Sequence, residues 1–569
     1  MNSHIDSEAT LTRLQEAQAV SEHPIDDRLV PDANFRELLD RQTEKYSDKP
    51  YLIYYDDQDN RTEFSYNKFR RLVTQTANYL LSKDVRAGDR IATVAHNHSD
   101  TVIQYFAAMS IGACVVPINV SEDDERIQYI LDNSEAKLAF VRDEYVDRIQ
   151  PLLSGVSNMQ DICVAGSKHP AYDNFHQSIQ NQPVELEIPY DLSIDDEALI
   201  VYTSGTTGKP KGVVLKQYNL LVDAMAIANW HKMDDSQRMM CVLPIHHVNG
   251  TVVTLLTPLY FGGTTVLNRR FQTSKFFPRI AKEKVNVVSV VPTLLQFLLQ
   301  GNVATSTLDL SHFRHIICGA GPLTVQLGQE FENTFHIPIM HGYGLSETTC
   351  YSCFLPVDLS EEEHRHWMQD YGYPSIGVPI PTNEMDIHDP DGNSLKPGER
   401  GEIVIRGHNV MKYYFRNPEA NAETFKYSWF RSGDEGFYEV DDQGRKFFFI
   451  TGRLKELIIR GGVNIAPLEI DEVLMHIDGV KAGIAVGFEN DWYGEEVGAY
   501  IQPDNGAKLT EKQILQTCKT KLPFHKQPKV IVFGDKMPVT STGKYQRYKV
   551  AHHFKQWQST QFREKKTKD

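Results

Sequence analysis

The chain has 569 residues, which is too many for one hydrophobic core and predicts two to four domains or subdomains. Hydrophobic residues make up 41% and charged residues 24% of the sequence, ordinary proportions for a globular protein. The formal net charge of −16 argues against a nucleic-acid partner, although local lysines can still bind a small anion.

Neither a secretory leader nor an integral membrane segment is predicted. Residues 1–6 lack a basic stretch followed by an apolar one, and the longest apolar stretch, 285–299, is too short and too polar to cross a bilayer. The seven cysteines are scattered, mostly in apolar runs, as reduced core thiols are. We therefore expect a cytoplasmic protein, in which Cys350 and Cys353 are packing residues rather than zinc ligands.

Local patterns predict several elements in chain order. Residues 36–46 and 68–81 have helical patterns, whereas 90–94 and 114–118 read as strands. Pro292 is expected to open a helix, because proline is favoured in the first helical turn.

The alternation of these patterns predicts the fold class, an α/β protein. Two stretches, 35–191 and 219–341, alternate helices and strands as parallel sheets covered by helices do. After Gly377, short strands and tight turns indicate a small antiparallel barrel. Ser360 and Glu363 form a capping box that predicts an exposed helix.

The chain is expected to divide into four parts: a polar, loosely held arm (1–33), a large domain (34–454), a small mobile α+β domain (455–551) and a frayed charged tail (552–569).

The most informative segment is a loop at 202–212, rich in glycine, hydroxyl and lysine residues. Strand-like runs at 198–202 and 212–215 flank it, so it joins two strands. Pro210 follows Lys209, whereas a Walker loop continues with Ser/Thr and a helix. Glycines allow close approach to a ligand, and backbone N–H groups, hydroxyls and lysine can then surround phosphate oxygens.

This loop resembles, almost letter for letter, a motif of the adenylate-forming superfamily, which comprises acyl-CoA synthetases, peptide-synthetase adenylation domains and firefly-type luciferases. The resemblance runs from about residue 35 to about residue 547, and further motifs follow in the family's order. It implies activation of a carboxylic acid by ATP with Mg²⁺, which is mainly a problem of positioning and electrostatics.

The resemblance assigns most of the expected ATP-binding residues. The loop would cover the β- and γ-phosphates, through Thr203, Ser204, Gly205, Thr206, Thr207, Gly208 and Lys211. A turn of small residues would lie against adenine, formed by Gly319, Ala320 and Gly321.

A second motif, Tyr343-Gly344-Leu345-Ser346-Glu347, is similar to the family's Tyr-Gly-x-Thr-Glu. It implies that the Tyr343 ring stacks on adenine, with Gly344 and Ser346 beside the nucleotide. Glu347 would be a catalytic residue that binds Mg²⁺ together with Thr203, because Mg²⁺ prefers hard oxygen ligands.

Ribose and acid have their own expected residues. Asp434, in a segment similar to Thr-Gly-Asp, would accept hydrogen bonds from both ribose hydroxyls, and Arg453 would donate to ribose or phosphate. His247 would contact or gate the carboxylate at an acid pocket shared with Val248 and Gly319. No aspartate occurs at 244–250, where amino-acid-activating relatives usually have one, which argues against an amino-acid substrate.

The C-terminal motif 538–544 resembles Pro-x-Thr-x-x-Gly-Lys and implies that Lys544 reaches the carboxylate and the α-phosphate. Lys455 stands at the family's hinge position. Gly461 and Gly462 resemble the channel segment that meets the pantetheine of CoA, but Asn464 departs from the longer polar residue of relatives.

The predicted function is ATP-dependent acid–CoA ligation through an acyl-adenylate, with rotation of the small domain between the two half-reactions. Three alternatives stay open: an enzyme that loads the acid onto a carrier-protein phosphopantetheine, a luciferase-type oxidase, and a non-enzymatic nucleotide sensor. A short or medium acyl, an aryl or a carnitine-like acid fits the sequence. A homo-oligomer is also compatible with it.

Overall fold

The structure is a computed structural model that describes residues 4–153, 155–203, 209–301, 303–539 and 545–563. Its strands are β1 (Pro50–Tyr55), β2 (Arg61–Ser65), β3 (Arg90–Val94), β4 (Cys114–Ile118), β5 (Ala136–Arg142), β6 (Asp161–Ala165), β7 (Asp173–Asn174), β8 (Glu197–Thr203), β9 (Lys211–Lys216), β10 (Arg238–Cys241), β11 (Thr264–Asn268), β12 (Val287–Val290), β13 (His315–Cys318), β14 (Ile339–Tyr343), β15 (Cys353–Phe354), β16 (Val378–Pro379), β17 (Asn383–His388), β18 (Gly401–Gly407), β19 (Tyr413–Tyr414), β20 (Phe430–Val440), β21 (Lys446–Arg453), β22 (Ile458–Arg460), β23 (Val463–Ile465), β24 (Val480–Asn490), β25 (Gly494–Pro503) and β26 (Val530–Phe533).

The α-helices are α1 (Glu8–Ala17), α2 (Phe35–Tyr46), α3 (Tyr66–Ser82), α4 (Ser99–Met109), α5 (Asp124–Asn133), α6 (Val146–Leu153), α7 (Phe175–Gln180), α8 (Gln217–Trp230), α9 (Thr257–Phe261), α10 (Thr273–Glu283), α11 (Pro292–Gln300), α12 (Val325–Phe335), α13 (Glu361–Gln369), α14 (Pro418–Thr424), α15 (Pro467–Met475) and α16 (Glu511–Lys521). A π-helix covers Asn249–Leu256, and 3₁₀ turns include Ser346–Thr348 and Leu454–Glu456.

Two large sheets form the body of the protein and confirm the predicted α/β class. One has eight strands in the order β19-β9-β8-β4-β3-β5-β6-β7, and the other has nine in the order β16-β15-β14-β13-β12-β10-β11-β1-β2. Most neighbouring central strands are parallel, as in β3–β4 and β12–β13. Strands such as β4 are buried throughout, because helices cover both faces of a parallel sheet.

Two smaller sheets follow. Strands β17-β18-β20-β21 are antiparallel, as expected after Gly377. The C-terminal sheet has the order β23-β22-β25-β24, with β26 parallel to β25. Separate hydrophobic clusters lie within this last part of the chain, between Ile458 and Phe562. The predicted helices at 36–46, 68–81 and Pro292 and the strands at 90–94 and 114–118 are confirmed as α2, α3, α11, β3 and β4.

The expectation of a loosely held N-terminal arm is wrong for residues 4–33. Thr10, Leu14 and Ala17 are buried at helical spacing along α1, a pattern that their mixed chemistry conceals in the sequence. Helix α1 packs against β18 and α14. The Gln18 side chain is also buried and donates to the Met411 carbonyl at 2.6 Å.

The expected fraying of the charged tail is wrong for residues 552–563. Phe554 is fully buried and its ring stacks on Phe488 at 5.5 Å between centroids. The Tyr493 hydroxyl donates to the Phe562 carbonyl at 2.9 Å. Two aromatic anchors thus hold a segment whose composition is mostly polar, and residues 564–569 lie outside the described part.

The capping box at Ser360 and Glu363 is confirmed at the start of α13. Helix α13 is not exposed on all sides, because Trp367 stacks flat on Phe447 of β21 at 3.8 Å.

In the described residues no helix has the length and apolar character needed to cross a membrane. All seven cysteines are buried free thiols, and burial raises the pKa of the Cys241 thiol to about 12.

Two histidines are buried against each other beside β13. The His315 Nε2 and His231 Nδ1 atoms lie 3.0 Å apart, and the rings stack at 4.9 Å. Burial lowers the pKa of His315 to about 3, with the nearby Arg314 charge adding to the effect, and lowers the pKa of His231 in the same direction. Both imidazoles are therefore neutral in the folded protein at neutral pH.

This pair predicts a loss of stability in mild acid. Free histidine titrates near pH 6.5, so below that value the unfolded chain binds protons that the folded chain excludes. Each histidine should cost about 1.4 kcal/mol per pH unit below pH 6.5 until its folded pKa is reached. We expect His315→Gln to flatten the fall of the melting temperature between pH 6.5 and 5.0. The exposed His552→Gln should leave that fall unchanged, and identical slopes for both variants would contradict the assignment.

Candidate active site

The phosphate loop joins two antiparallel strands, as the sequence predicted. Strand β8 ends at Thr203 and β9 begins at Lys211, and these two residues face each other in the register. The intervening residues with expected roles, Ser204, Gly205, Thr206, Thr207 and Gly208, lie outside the described part of the chain. The structure thus fixes the two ends of the loop opposite each other, at one end of the β8–β9 pair.

Lys211 lies at the centre of a charged cluster. Its Nζ atom is 4.8 Å from the centroid of the Tyr414 ring. Burial lowers the pKa of Lys211, the Glu347 carboxylate raises it, and the Lys455 ammonium lowers it. Both charges therefore act on Lys211, although the three residues come from distant parts of the sequence.

Glu347 is held by its main chain and by its side chain. It lies in the 3₁₀ turn that follows β14. The Tyr414 hydroxyl donates to Glu347 Oε1 at 2.8 Å, and the Met411 amide donates to the Glu347 carbonyl at 2.8 Å. Tyr414 is not among the residues that the sequence predicted for the site, because a tyrosine pair in a two-residue strand has no distinctive spacing.

The residues at this point fit a magnesium ion. Glu347 and Thr203 are both partly exposed and offer a carboxylate and a hydroxyl, the hard oxygen donors that Mg²⁺ prefers. Mg²⁺ that bridges phosphates keeps several waters and needs only one or two protein ligands. Lys211, on whose pKa the Glu347 charge acts, adds a positive charge at this point.

Asp434 forms a second, buried cluster with Tyr343 and Arg453. The Tyr343 hydroxyl donates to Asp434 Oδ2 at 2.6 Å, and Arg453 Nε lies 3.0 Å from Oδ1. Burial, with the Asp434 charge in addition, raises the pKa of Tyr343 well above its usual value. The Arg453 contact lacks hydrogen-bond alignment, so Oδ1 accepts no hydrogen bond from any residue that the structure describes. This buried acceptor fits a hydroxyl donor from a ligand.

The turn before Asp434 is fixed by a glutamate. Gly433 has a φ of +73°, and its amide donates to Glu402 Oε1 at 2.9 Å. The Ser432 hydroxyl donates to the Ile403 carbonyl and accepts from the Asp434 amide at 3.0 Å. Glu402 was missed as well, since it lies on the neighbouring strand β18 and only the register brings it here.

Gly319, Ala320 and Gly321 directly follow β13. A Cβ on Gly319 would lie 2.6 Å from the Tyr351 hydroxyl, so only glycine fits there. Ala320 has a φ of +60°, a strained value for a residue with a side chain. Gly344 is equally constrained, because its Cβ would overlap the Cys350 carbonyl.

The expected acid-pocket segments also meet at Tyr351. Asn249, next to Val248, donates from Nδ2 to the Tyr351 hydroxyl at 3.2 Å, and Ser289 donates to Asn249 Oδ1 at 2.8 Å. All three side chains of this network are buried. His247 lies two residues before Asn249, with its ring centroid 4.4 Å from that of His246. Burial, with the nearby His247 and His96, lowers the pKa of His246 well below its usual value.

The C-terminal residues occupy three separate positions. Lys455 lies in the 3₁₀ turn right after Arg453, while Gly461 and Gly462 form the β22–β23 turn with φ values of +58° and +82°. Lys544 lies outside the described residues. The chain after it is anchored, because the buried Arg547 pairs with Asp471 and with Glu456.

The two large sheets explain why these groups converge. The phosphate loop, the His247 segment, the Gly319 turn and the Tyr343–Glu347 segment follow the carboxyl ends of β8, β10, β13 and β14. Ligands of open α/β sheets bind outside the carboxyl ends of the strands. The expected acid, adenine and metal residues therefore lie at the same end of the nine-stranded sheet, and the contact between β9 and the 346–348 turn brings the hairpin of the phosphate loop close to them.

Comparisons with known proteins agree with this arrangement. Residues 39–415 match the AMP-binding enzyme family, and residues 469–544 match the AMP-binding enzyme C-terminal domain. An oxalate–CoA ligase from Arabidopsis thaliana is 30% identical over 522 residues, covering 91% of this chain and 98% of that protein.

Solved structures are similar over the same length. ATP-bound MatB from Rhodopseudomonas palustris has a TM-score of 0.80 at 25% identity, over 92% of this chain and 99% of the other. The Bacillus subtilis o-succinylbenzoate CoA synthetase, in complex with an acyl-adenylate intermediate, has a TM-score of 0.79 at 25% identity, over 95% and 100%. The chain belongs to the AMP-binding enzyme family, within the adenylate-forming superfamily that its motifs resemble.

Proposed function

We propose that this chain is an AMP-forming acid–CoA ligase. A carboxylate attacks the α-phosphate of ATP to give an acyl-adenylate and pyrophosphate, and the thiol of CoA then displaces AMP to give the thioester. The observation that carries the proposal is the buried Asp434 cluster, in which Oδ1 lies 3.0 Å from Arg453 Nε and accepts no hydrogen bond from any described residue.

In the first half-reaction the roles divide by position. Asp434 Oδ1 accepts from a ribose hydroxyl, while Arg453, whose Nε lies 3.0 Å from that oxygen, donates toward ribose or phosphate. Lys211 and the loop 203–208 surround the outer phosphates, and Gly319, Ala320, Gly321 and Tyr343 line the base. Fixed charges of this kind stabilise a phosphoryl transition state without reorganising.

Magnesium would be held by Glu347 and Thr203. When bound, Mg²⁺ neutralises charge on the phosphate oxygens. The protein's own contribution is to keep the Glu347 carboxylate oriented, which the Tyr414 hydroxyl does from one side. Gly344 gives this segment a tight path against the Cys350 carbonyl, and Ser346 would lie beside the nucleotide.

The small domain has its proposed role in the second half-reaction. We propose that it comprises residues 455–551 and that it rotates about Lys455. Hydrophobic clusters that begin at Ile458 support a unit able to move as one body. Rotation would withdraw Lys544 and bring the Gly461–Gly462 turn to the thiol channel. The ion pair from Arg547 to Glu456 would tie the chain that follows Lys544 to the residues beside the pivot.

CoA is the proposed acceptor because the relatives above that name an acceptor are named for CoA. Loading of a carrier-protein phosphopantetheine is the second candidate, since the same residues serve both. The buried polar network of Asn249, Ser289 and Tyr351 favours an acid with a polar group near its carboxylate. Buried free cysteines support the proposed cytoplasmic location.

The activity is tested by incubating the protein with ATP, Mg²⁺ and a panel of acids, with pyrophosphate release as the first signal. We expect acid-dependent release for at least one short, aryl or carnitine-like acid, and a CoA thioester by mass spectrometry when CoA is added. Transfer to a phosphopantetheinylated carrier protein but not to CoA would favour the second candidate. Luminescence with release of AMP would favour an oxidase.

Removal of the ribose anchor should impair ATP use. Asp434→Ala removes the charge-assisted hydrogen bond from the ribose hydroxyl to Oδ1, which contributes ~1.5–3 kcal/mol, so kcat/KM for ATP should fall by about 10- to 100-fold. Asp442→Ala, an exposed aspartate on the β20–β21 turn, is the matched control. Asp434 is not the anchor if initial-rate kinetics show near-normal KM and kcat for ATP.

Lys544 should matter in only one half-reaction. Loss of a preorganised donor costs about 10²–10³-fold in rate, so Lys544→Ala should lose most acid-dependent pyrophosphate exchange. The same variant should convert synthetic acyl-adenylate and CoA to thioester at a near-normal rate, because the lysine has left the site by then. The exposed Lys549→Ala should affect neither step. Equal losses of both steps in folded Lys544→Ala protein would exclude the rotation.

A further inference from the structure

The N-terminal arm forms hydrogen bonds with the chain around residues 411–421, and Met411 and Tyr414 in that stretch bond to Glu347. We call residues 411–414 the support segment, because its two ends carry the bonds to Glu347 described above. The family match begins at residue 39, so the arm lies outside it. Two hydrogen-bonded connections, one from each end of the arm's first helix, reach Glu347 through the support segment.

The first connection runs through the main chain. Gln18 follows α1, is 7% exposed, and donates from Nε2 to the Met411 carbonyl at 2.6 Å. The amide of the same Met411 donates to the Glu347 carbonyl at 2.8 Å. Met411 is fully buried, so water cannot replace the Gln18 amide without opening the packing.

The second connection runs through Asn421. Its Nδ2 donates to the His4 carbonyl at 2.8 Å, and its Oδ1 accepts from the Tyr414 amide at 2.7 Å. The Tyr414 hydroxyl then reaches Glu347 Oε1. The His4 ring adds to this connection, because it stacks on Tyr413 at 4.5 Å with 13° between the planes.

The two connections fix different degrees of freedom. The Gln18 route sets the position of the Glu347 backbone, whereas the His4 route sets the Tyr414 hydroxyl and thus the carboxylate. Helix α1 lies between His4 and Gln18, and its buried residues Leu14 and Ala17 pack it against the body of the protein. Because protein interiors are nearly incompressible, this packing keeps His4 and Gln18 at fixed positions relative to the support segment.

We propose that residues 4–18 form a positioning element for the metal-binding glutamate, with Gln18 and His4 as its positioning residues. This inference rests on the proposed role of Glu347 in the ligase reaction. Neither residue touches substrate, and both act through the support segment. The arm thus adds to the active site a contribution from a part of the chain outside the family match.

The test uses a matched pair in one helix region. Gln18→Met keeps length and packing but removes the donor, and Gln15→Met makes the same chemical change at an exposed position. His4→Ala tests the other end of the arm, because it removes the ring that stacks on Tyr413 and accepts a hydrogen bond from the Arg416 amide. Melting curves first establish that each full-length variant is folded.

Hydrogen exchange supplies a readout that needs no activity. Gln18→Met should raise exchange of the Met411 amide by about 2- to 10-fold, the range that a buried hydrogen bond contributes. Gln15→Met should leave it unchanged. Equal Met411 exchange in Gln18→Met and wild type would overturn the proposal, whatever reaction the protein catalyses.

Kinetics separate positioning from mere stability. Gln18→Met and His4→Ala should each lower kcat for pyrophosphate formation by about 2- to 10-fold and raise the Mg²⁺ concentration for half-maximal rate, with KM for the acid unchanged. Faster exchange with unchanged kinetics would overturn the positioning role. If the wild type forms no pyrophosphate with any acid, the proposed function fails separately. Calorimetry with Mg²⁺ and ATP then decides: weaker binding by Gln18→Met supports the positioning element, and equal binding overturns it.

Discussion

The burial of Asp434 is the constraint around which the site is organised. An ionised carboxylate away from water is costly unless a charge and hydrogen bonds compensate it. Tyr343, at the end of β14, and Arg453, at the end of β21, supply that compensation and thereby join the nine-stranded sheet to the antiparallel sheet. Because Arg453 directly precedes the turn with Lys455, the same contact links the proposed ribose anchor to the proposed pivot.

The proposed phosphate-binding part of the site lies at a second contact, between the two large sheets. Lys211, Tyr414 and Glu347 come from β9, β19 and the turn after β14, and β19 pairs with β9. The eight-stranded sheet contributes Lys211 and the turn after β14 of the nine-stranded sheet contributes Glu347, so the proposed phosphate site draws on both sheets. The N-terminal arm contacts this junction through the hydrogen bond from Gln18 to Met411, so residues distant in sequence help to position it.

Much of the fold followed from local patterns, because parallel strands and capped helices have clear signatures. Strands β3 and β4 match their predicted bounds, and Ser360 begins α13 as its capping box indicated. The arm and the tail were misjudged because a few buried residues, Leu14, Ala17 and Phe554, anchor segments of polar composition. The family motifs named Asp434 and Glu347, but not their partners Glu402 and Tyr414, which only strand register brings near. Such contacts between distant residues have no local sequence pattern.

A crystal structure of the protein with bound AMP tests the central claim most directly. The account predicts a ribose hydroxyl within about 3 Å of Asp434 Oδ1, the one oxygen of that carboxylate left without a hydrogen bond by the described residues. It also predicts that the Tyr343 and Arg453 contacts persist around the ligand. A nucleotide bound with its ribose away from Asp434, or an Asp434 side chain turned from the ligand, would contradict the account.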